Sequence, residues 1–457
     1  MDLEPRSEDE ALLDRLQHET FEYFLREVNP ANGLVADKTR KDWPASIAAT
    51  GLALAAYPVG VERGFMTRDA AATITLITLR FFRDGVQGTE RDATGYKGLY
   101  YHFLDMATGR RAFRCELSTV DSAFLLAGAL TAAVYFDRDS HEEQQIRELA
   151  DELFRRADWR WAQHGGATVT HGYKPTGGFL EHRWRGYDEA LLLYVLGLGS
   201  PTYPLPDESY SAWLSTYDWR RIYEYEFVYA GPLFIHQLSH IWIDFRGIQD
   251  AYMRERALDY FENSRRATYV QREYAIRNPR GFAYYGKDCW GITASDGPGP
   301  ATVTIDGVPR RFHDYLARGA PLGPDDGTIA PWAVVASLPF APEIVLPTIR
   351  YFVDRVHLEK PHDYGFKATF NPTFPVAESE FSVKSSATAP DSTELFGAPS
   401  GSHLEFGWVS PWNFGLNQGP IVLMIENQRS GLIWSLMRRC PYVVEGLRRA
   451  GFRGGWL

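Results

Sequence analysis

The sequence predicts an all-α fold, a closed ring of six helical hairpins with short β excursions in the loops at its cleft end. Three observations carry that expectation. Apolar residues recur at three- and four-residue spacings in about a dozen stretches, the period of a helix with a buried face. Strand-like stretches are few and short, and they stand between the helical ones as excursions. No solenoid-type repeat or low-complexity linker divides the chain, so residues 1–457 read as one domain large enough to bury its own core. Helices in that number, alternately inner and outer, close into a ring of hairpins.

The helical stretches are 9–27, 46–58, 68–84, 119–137, 141–158, 187–197, 232–243, 248–267, 328–338, 343–356 and 419–438, the last counted as two. Ser46 ahead of Ile-Ala-Ala, Ser118-Thr119 ahead of Val-Asp-Ser-Ala, and Asp326 ahead of Gly-Thr-Ile-Ala-Pro are start signals, because a short side-chain oxygen satisfies the free amides of a first turn. Gly199-Ser-Pro201 and Pro58-Val-Gly60 mark ends. Strands are expected near 99–104, 301–312 and 364–370. Two long irregular segments, 270–327 and 360–418, are expected to line one end of the ring, since ordered loops of that length are usually functional.

Composition narrows the function. The net charge of −10, with no dense Lys/Arg run, argues against a nucleic-acid surface. Cys115, Cys289 and Cys440 are odd in number and too far apart for a metal motif, so they read as reduced thiols. The acidic N-terminus lacks an apolar leader and no stretch is apolar for the length of a membrane span, so a cytoplasmic protein with no membrane partner is expected. Aromatic residues make 14% of the chain beside 23% charged residues. Most of those rings belong to the core, but Trp and Tyr beside carboxylates also suit carbohydrate, whose CH faces stack on rings while its hydroxyls bond acids and amides.

Five constellations have chemical potential. In Trp184-Arg-Gly-Tyr187-Asp188-Glu189, two carboxylates stand at the mouth of a wholly apolar helix among rings and arginine, where the pKa of an acid can be tuned for proton donation. Glu189 is the first candidate, with Asp188 as the cap. Around Tyr101-His-Phe-Leu-Asp105 and Arg114-Cys-Glu116-Leu-Ser-Thr-Val-Asp121, Asp121 falls in the first turn of a helix, where capping is the alternative role, while Glu116 precedes it without that local reason. His236, His240 and Asp244 share a helical face, but the zinc-protease motif needs Glu where Gln237 stands; a cleft wall or core histidines are preferred to a metal site, and Gln237 and His240 could hold sugar hydroxyls. Trp290-Gly-Ile-Thr-Ala-Ser-Asp296 forms a ring-and-acid loop. Trp412-Asn413-Phe-Gly-Leu-Asn417-Gln418 is rich in amides and rings and could close the cleft, with Glu426 and Arg429 paired across a turn. A Gly-x-Ser-x-Gly elbow is absent, which disfavours a serine hydrolase, whereas separated carboxylates among rings fit glycoside hydrolysis.

Taken in order, Glu116-Leu-Ser-Thr-Val-Asp121, Trp184-Arg-Gly-Tyr-Asp-Glu189, Gly199-Ser-Pro, His236-Gln-Leu-Ser-His240 with Asp244-Phe-Arg, Trp290-Gly-Ile-Thr-Ala-Ser-Asp296, Asp326-Gly-Thr-Ile-Ala-Pro and Gln418-Gly-Pro through Glu426-Asn427 resemble the glucoamylase-like domain family, and within it glycoside hydrolase family 144. The resemblance implies an (α/α)6 barrel acting on β-1,2-glucan or sophoro-oligosaccharides by an inverting mechanism, with no cofactor and no metal. It matches Glu189 to the general acid and Glu116 and Asp121 to acids near the scissile bond. Trp184, Tyr187, Gln237, His240, Trp290, Asp296, Trp412, Asn413 and Gln418 are the expected substrate-binding residues. The chain departs from the family at Ala368 and Asn417, where acids are usual, which leaves the general base unassigned. A transglycosylase on the same linkage and a glucan-binding protein with a weakened site are the alternatives.

Overall fold

In the computed structural model, which describes residues 7–356, 364–375 and 407–457, the helices fall into two kinds. Ile47–Glu62, Thr119–Tyr135, Leu191–Leu198, Leu238–Trp242, Pro331–Val335 and Gly415–Arg429 are buried around nearly their whole circumference. A helix without a wet face belongs inside. Glu8–Arg26, Arg68–Asp84, His141–Arg156, Glu208–Leu214, Tyr260–Arg277 and Pro342–Asp354 alternate with them along the chain and keep one side exposed. Outer and inner helices in six-fold alternation make the (α/α)6 barrel.

The inner ring is closed by packing and by side-chain ties. Ile47–Glu62 packs between Thr119–Tyr135 and Gly415–Arg429, and the first of these also meets Leu191–Leu198. The Leu192 N–H donates to Ser239 Oγ, and the Gln237 amide donates to the Ala333 carbonyl, which joins the next three inner helices. At the closest crossing a methyl group on Gly128 would lie 1.9 Å from the Gly51 carbonyl oxygen, so only glycine permits that approach. One hydrophobic core runs from Leu13 to Phe452.

Departures from the sequence reading have local causes. The 187–197 helix begins only at Leu191, because the Asp188 carboxyl takes the Ala190 N–H and holds the preceding turn out of the helix. The stretch 232–243 is a 3₁₀ turn, Leu233–His236, followed by Leu238–Trp242. The stretch 248–267 splits into Ala251–Glu255 and Tyr260–Arg277, because Ala257 adopts φ +49° and Asp259 caps the second helix. Pro58 does not end its helix, which continues to Glu62. Asp326 caps nothing; it pairs with Arg318, and Ala330 precedes the helix from Pro331. Glu426 pairs with Arg63 and Arg429 with Asp14, not with each other. Trp159–Gln163, Glu208–Leu214 and Pro441–Arg449 are too short to have shown a clear period.

Strands occur as expected at Leu99–Tyr101, Phe103–Leu104 and in the hairpin Ala301–Ile305 with Val308–Phe312. Near 364–370 the strand is Phe370–Asn371, paired with Trp408–Val409. Of the segment 360–418, residues 364–375 and 407–418 are described and the rest lies outside the described residues. No helix among the described residues is long and apolar enough to cross a membrane.

The short strands position the site. Ala45–Ser46 pairs with Phe103–Leu104, and Leu99–Tyr101 pairs with Leu117–Ser118. The Thr39 N–H donates to the Asn413 carbonyl and the Gly415 N–H to that of Asp37. The approaches to three inner helices therefore gather at one end of the barrel.

Candidate active site

Glu189 lies in the turn just ahead of the inner helix Leu191–Leu198. Its carboxyl accepts no hydrogen bond from any described residue and keeps part of its surface open. Burial, and then the negative charges of Asp121 and Asp188, push its pKa up to about 8, against the opposing pull of His102. It is thus protonated at neutral pH and free to donate. Asp188 supports the turn: its Oδ1 accepts from the Ala190 N–H at 3.0 Å and from Trp213 Nε1 at 2.9 Å, while burial raises its own pKa to about 7.

His102 organises the acids facing Glu189. Its Nδ1 meets Glu116 Oε1 at 2.9 Å, its Nε2 lies 3.7 Å from Asp121 Oδ2, and its ring stacks on Phe103 at 4.0 Å. Burial alone would lower its pKa, but Asp121, Glu116 and Asp37 outweigh burial and raise it to about 9. The hydrogen bond to His102 holds Glu116 down at about 2. Asp121 occupies the first turn of Thr119–Tyr135, where the Ser118 hydroxyl accepts its N–H and donates to its carboxyl. The cap of this helix is thus Ser118 and not Asp121.

The sign of the pH dependence follows. The His102 contribution to stability is full below its unfolded value of 6.5 and is lost as pH rises through about 9. The Glu116 contribution is full above 4.5 and is lost as pH falls toward about 2. The thermal midpoint of wild type should therefore exceed that of His102→Asn most between these limits. The difference should shrink toward pH 9; a constant difference would refute the charged His102 hub.

Asp37, Lys38 and Asp296 extend the acid-lined wall. Trp43 Nε1 donates to Asp37 Oδ2 at 2.9 Å, and burial raises the Asp37 pKa. Lys38 Nζ stands 4.0 Å from the centre of the Trp43 ring and 5.9 Å from that of Trp412. Burial lowers its pKa, against the charges of Asp37 and Asp296. Asp296 accepts from Thr369 Oγ1 at 2.7 Å and from the Ser410 hydroxyl, and burial raises its pKa. Ala368 is buried beside Thr369, the residue that donates to Asp296. Phe113, exposed and in the left-handed region at φ +53°, contacts Trp43 at 5.0 Å and adds a ring to the rim.

Several expected binding residues lie elsewhere. Tyr187 packs with Tyr217, His236 and Tyr260, where an apolar helix start buries its ring. Gln237 is fully buried and donates to Ala333 and Ser337. His240 sits among Phe245, Phe261 and Phe340 with its Nε2 against Ser264 Oγ, and burial lowers its pKa to about 3. Trp290 is fully buried and donates to Thr348. Those four side chains are packed into the core. Asn413 and Gln418 are also buried, Asn413 donating to the Phe366 carbonyl. Trp184 is nearly buried, stacking on His171 at 3.8 Å and donating to Thr119. Asp296 and Trp412 keep surface open beside the acids. As to the considered metal face, His236 is engaged by Ala230 and Asn263, and Asp244 by Arg246 and Arg438.

Asp37, Lys38 and Trp43 were not singled out in the sequence, and His102 was quoted there without a role. The ring of Trp43 six residues after an acid was the available signal for the first of them.

Known proteins share this architecture. The family model Glycoamylase, described as "Putative glucoamylase", matches residues 181–441. A crystal structure of a "putative glucoamylase" from Bacteroides uniformis is 31% identical, with a TM-score of 0.81, over 99% of this chain and 100% of that one. The crystal structure of a β-1,2-glucanase from Parabacteroides distasonis is 27% identical, with a TM-score of 0.80, over 98% of this chain and 60% of that one. The exo β-1,2-glucooligosaccharide sophorohydrolase (non-reducing end) of Parabacteroides distasonis is 28% identical over 476 aligned residues, 96% of this chain; the chain spans only 58% of that relative's length. With a matched model across more than half of its length and a solved relative covered end to end, the chain belongs to the Glycoamylase family of glucoamylase-like proteins.

Proposed function

We propose that this protein is a glycoside hydrolase that cleaves β-1,2-glucan or sophoro-oligosaccharides, with Glu189 as general acid. The observation that carries the reading is a partly open carboxyl group kept protonated near pH 7 beside Asp121, Asp188 and His102, with no hydrogen bond to a described residue. A glycosidic oxygen is the natural acceptor. The linkage is supported by the likeness to a sophorohydrolase and a β-1,2-glucanase.

In this account Glu189 protonates the bridging oxygen as the bond to the anomeric carbon breaks, and the charge left on the sugar is met by the surrounding carboxyl groups. Asp121 is the better placed of the two partner acids to orient water, because Glu116 is committed to His102. Glu116 then acts by holding His102. Inversion is the stereochemistry that the family resemblance implies, and water would attack from the face opposite the leaving oxygen.

Product analysis tests the substrate. Incubation with β-1,2-glucan should release sophorose or short sophoro-oligosaccharides, while β-1,3-, β-1,4- and α-1,4-glucans stay intact. Cleavage of another linkage with β-1,2-glucan untouched would overturn the reading. Products longer than the substrate would instead identify transfer. The anomer first released, read by NMR, should be α from the β linkage.

A further inference from the structure

Phe113 stands on a strained turn. The chain reverses at Ala112–Cys115, where the Cys115 N–H donates to the Ala112 carbonyl at 3.1 Å and both central residues are left-handed, Phe113 at φ +53° and Arg114 at φ +50°. That is the pattern of a type I′ turn, which ordinarily takes Asn and Gly, and a bulky residue adopts it only where its surroundings enforce it. Arg111 enforces it here. Its guanidinium lies 4.7 Å from the centre of the Tyr101 ring and donates from Nε to the Cys115 carbonyl at 2.6 Å, from Nη2 to that of Arg114 at 2.6 Å and from Nη1 to that of Arg91 at 3.0 Å. The Ala112 N–H donates to the Phe103 carbonyl at 2.9 Å. The turn so clamped presents a phenyl ring that remains 58% exposed. Glycine would suit the backbone better and the ring buries little, so neither turn nor core accounts for phenylalanine at this position.

Direct contacts tie this ring to the site. It lies 5.8 Å from Phe103, whose ring stacks on His102 at 4.0 Å, and His102 in turn meets Glu116 at 2.9 Å. It also lies 5.0 Å from Trp43 at a tilt of 55°, and Trp43 Nε1 donates to Asp37 at 2.9 Å. Phe113 therefore continues the wall of the site outward, one ring removed from His102 and one from Asp37. Cations border the pair as well: Lys38 Nζ stands 4.0 Å and the Arg40 guanidinium 4.9 Å from the centre of the Trp43 ring. Open aromatic surface edged by ammonium, guanidinium and carboxyl groups suits a sugar, with its CH face and its rim of hydroxyls, better than it suits an apolar partner. We propose that Phe113 and Trp43 form an outlying subsite, a platform for a glucosyl unit of the substrate away from the bond that is cleaved. The Arg111 clamp fixes that platform before the chain arrives, which lowers the ordering cost of binding. This inference rests on the β-1,2-glucan reading of the site.

Binding measured without turnover tests it. In Glu189→Gln, calorimetry with linear β-1,2-glucan gives a reference Kd. Adding Phe113→Gly should weaken binding about tenfold, the scale of a lost ring contact. Adding Phe113→Tyr, which keeps the ring, should leave it within about threefold of the reference. The thermal midpoint of Phe113→Gly should hold or rise, because glycine adopts the left-handed backbone without strain. In the active enzyme Phe113→Gly should raise KM more than it lowers kcat, the signature of a contact made equally in the ground and transition states. Binding unchanged by Phe113→Gly, whatever its midpoint, or a loss shared equally by Phe113→Tyr, would overturn the subsite alone. A fall in kcat with KM unchanged would place the damage at the acids and overturn it too. Failure of a folded Glu189→Gln protein to bind the glucan would overturn the β-1,2-glucan reading and the inference with it.

Discussion

Replacement of Glu189 by Gln should lower kcat on β-1,2-glucan by about 10²–10⁴-fold, the usual contribution of a general acid. The thermal midpoint should be held or raised. Glu189→Gln keeps the shape of the side chain and removes a carboxyl that is costly to ionise beside Asp121 and Asp188. Wild-type kcat/KM should decline as pH rises through about 8, where Glu189 loses the proton it must give. Unchanged turnover in a folded Glu189→Gln protein would move the acid elsewhere.

Arg318→Ala should be the most damaging single change to stability. The guanidinium is fully buried and binds Asp326 through Nε at 2.7 Å and Nη2 at 2.8 Å, together with the carbonyls of Ser295, His313 and Asp314. Burial alone would raise the Asp326 pKa, but Arg318 holds it below its ordinary value. Removing the arginine strands a buried carboxylate and frees three carbonyls, at a cost of about 3–5 kcal/mol. The midpoint of urea unfolding should fall accordingly. Arg318→Met with Asp326→Leu should recover part of the stability, since no charge is then left unpaired. An unchanged unfolding midpoint in Arg318→Ala would contradict the role of the pair.

The barrel was legible because helical periodicity survives in each long stretch, and the wholly apolar runs such as Leu191–Leu198 mark the inner ring. The short inner helices Leu238–Trp242 and Pro331–Val335 were read too long, since a buried turn beside a short helix is as apolar as the helix. Glu189 could be proposed from the sequence because its proton-donor setting is local. Its neighbours were harder to see: Asp37 comes near His102 through the pairing of Ala45–Ser46 with Phe103–Leu104. Periodicity and composition have no record of such contacts. For Tyr187, His240 and Trp290 the sequence leaves two readings open. A ring that suits a sugar suits a core equally well, and burial alone separates the two.

The most direct test of Glu189 as general acid varies the leaving group. Glu189→Ala is compared with wild type on β-1,2-glucan and on an aryl sophoroside whose dinitrophenolate departs without protonation. Loss of about 10²–10⁴-fold on the glucan, with the activated substrate retained within about tenfold, is the predicted result. Equal losses on both substrates would show that Glu189 does not donate the proton.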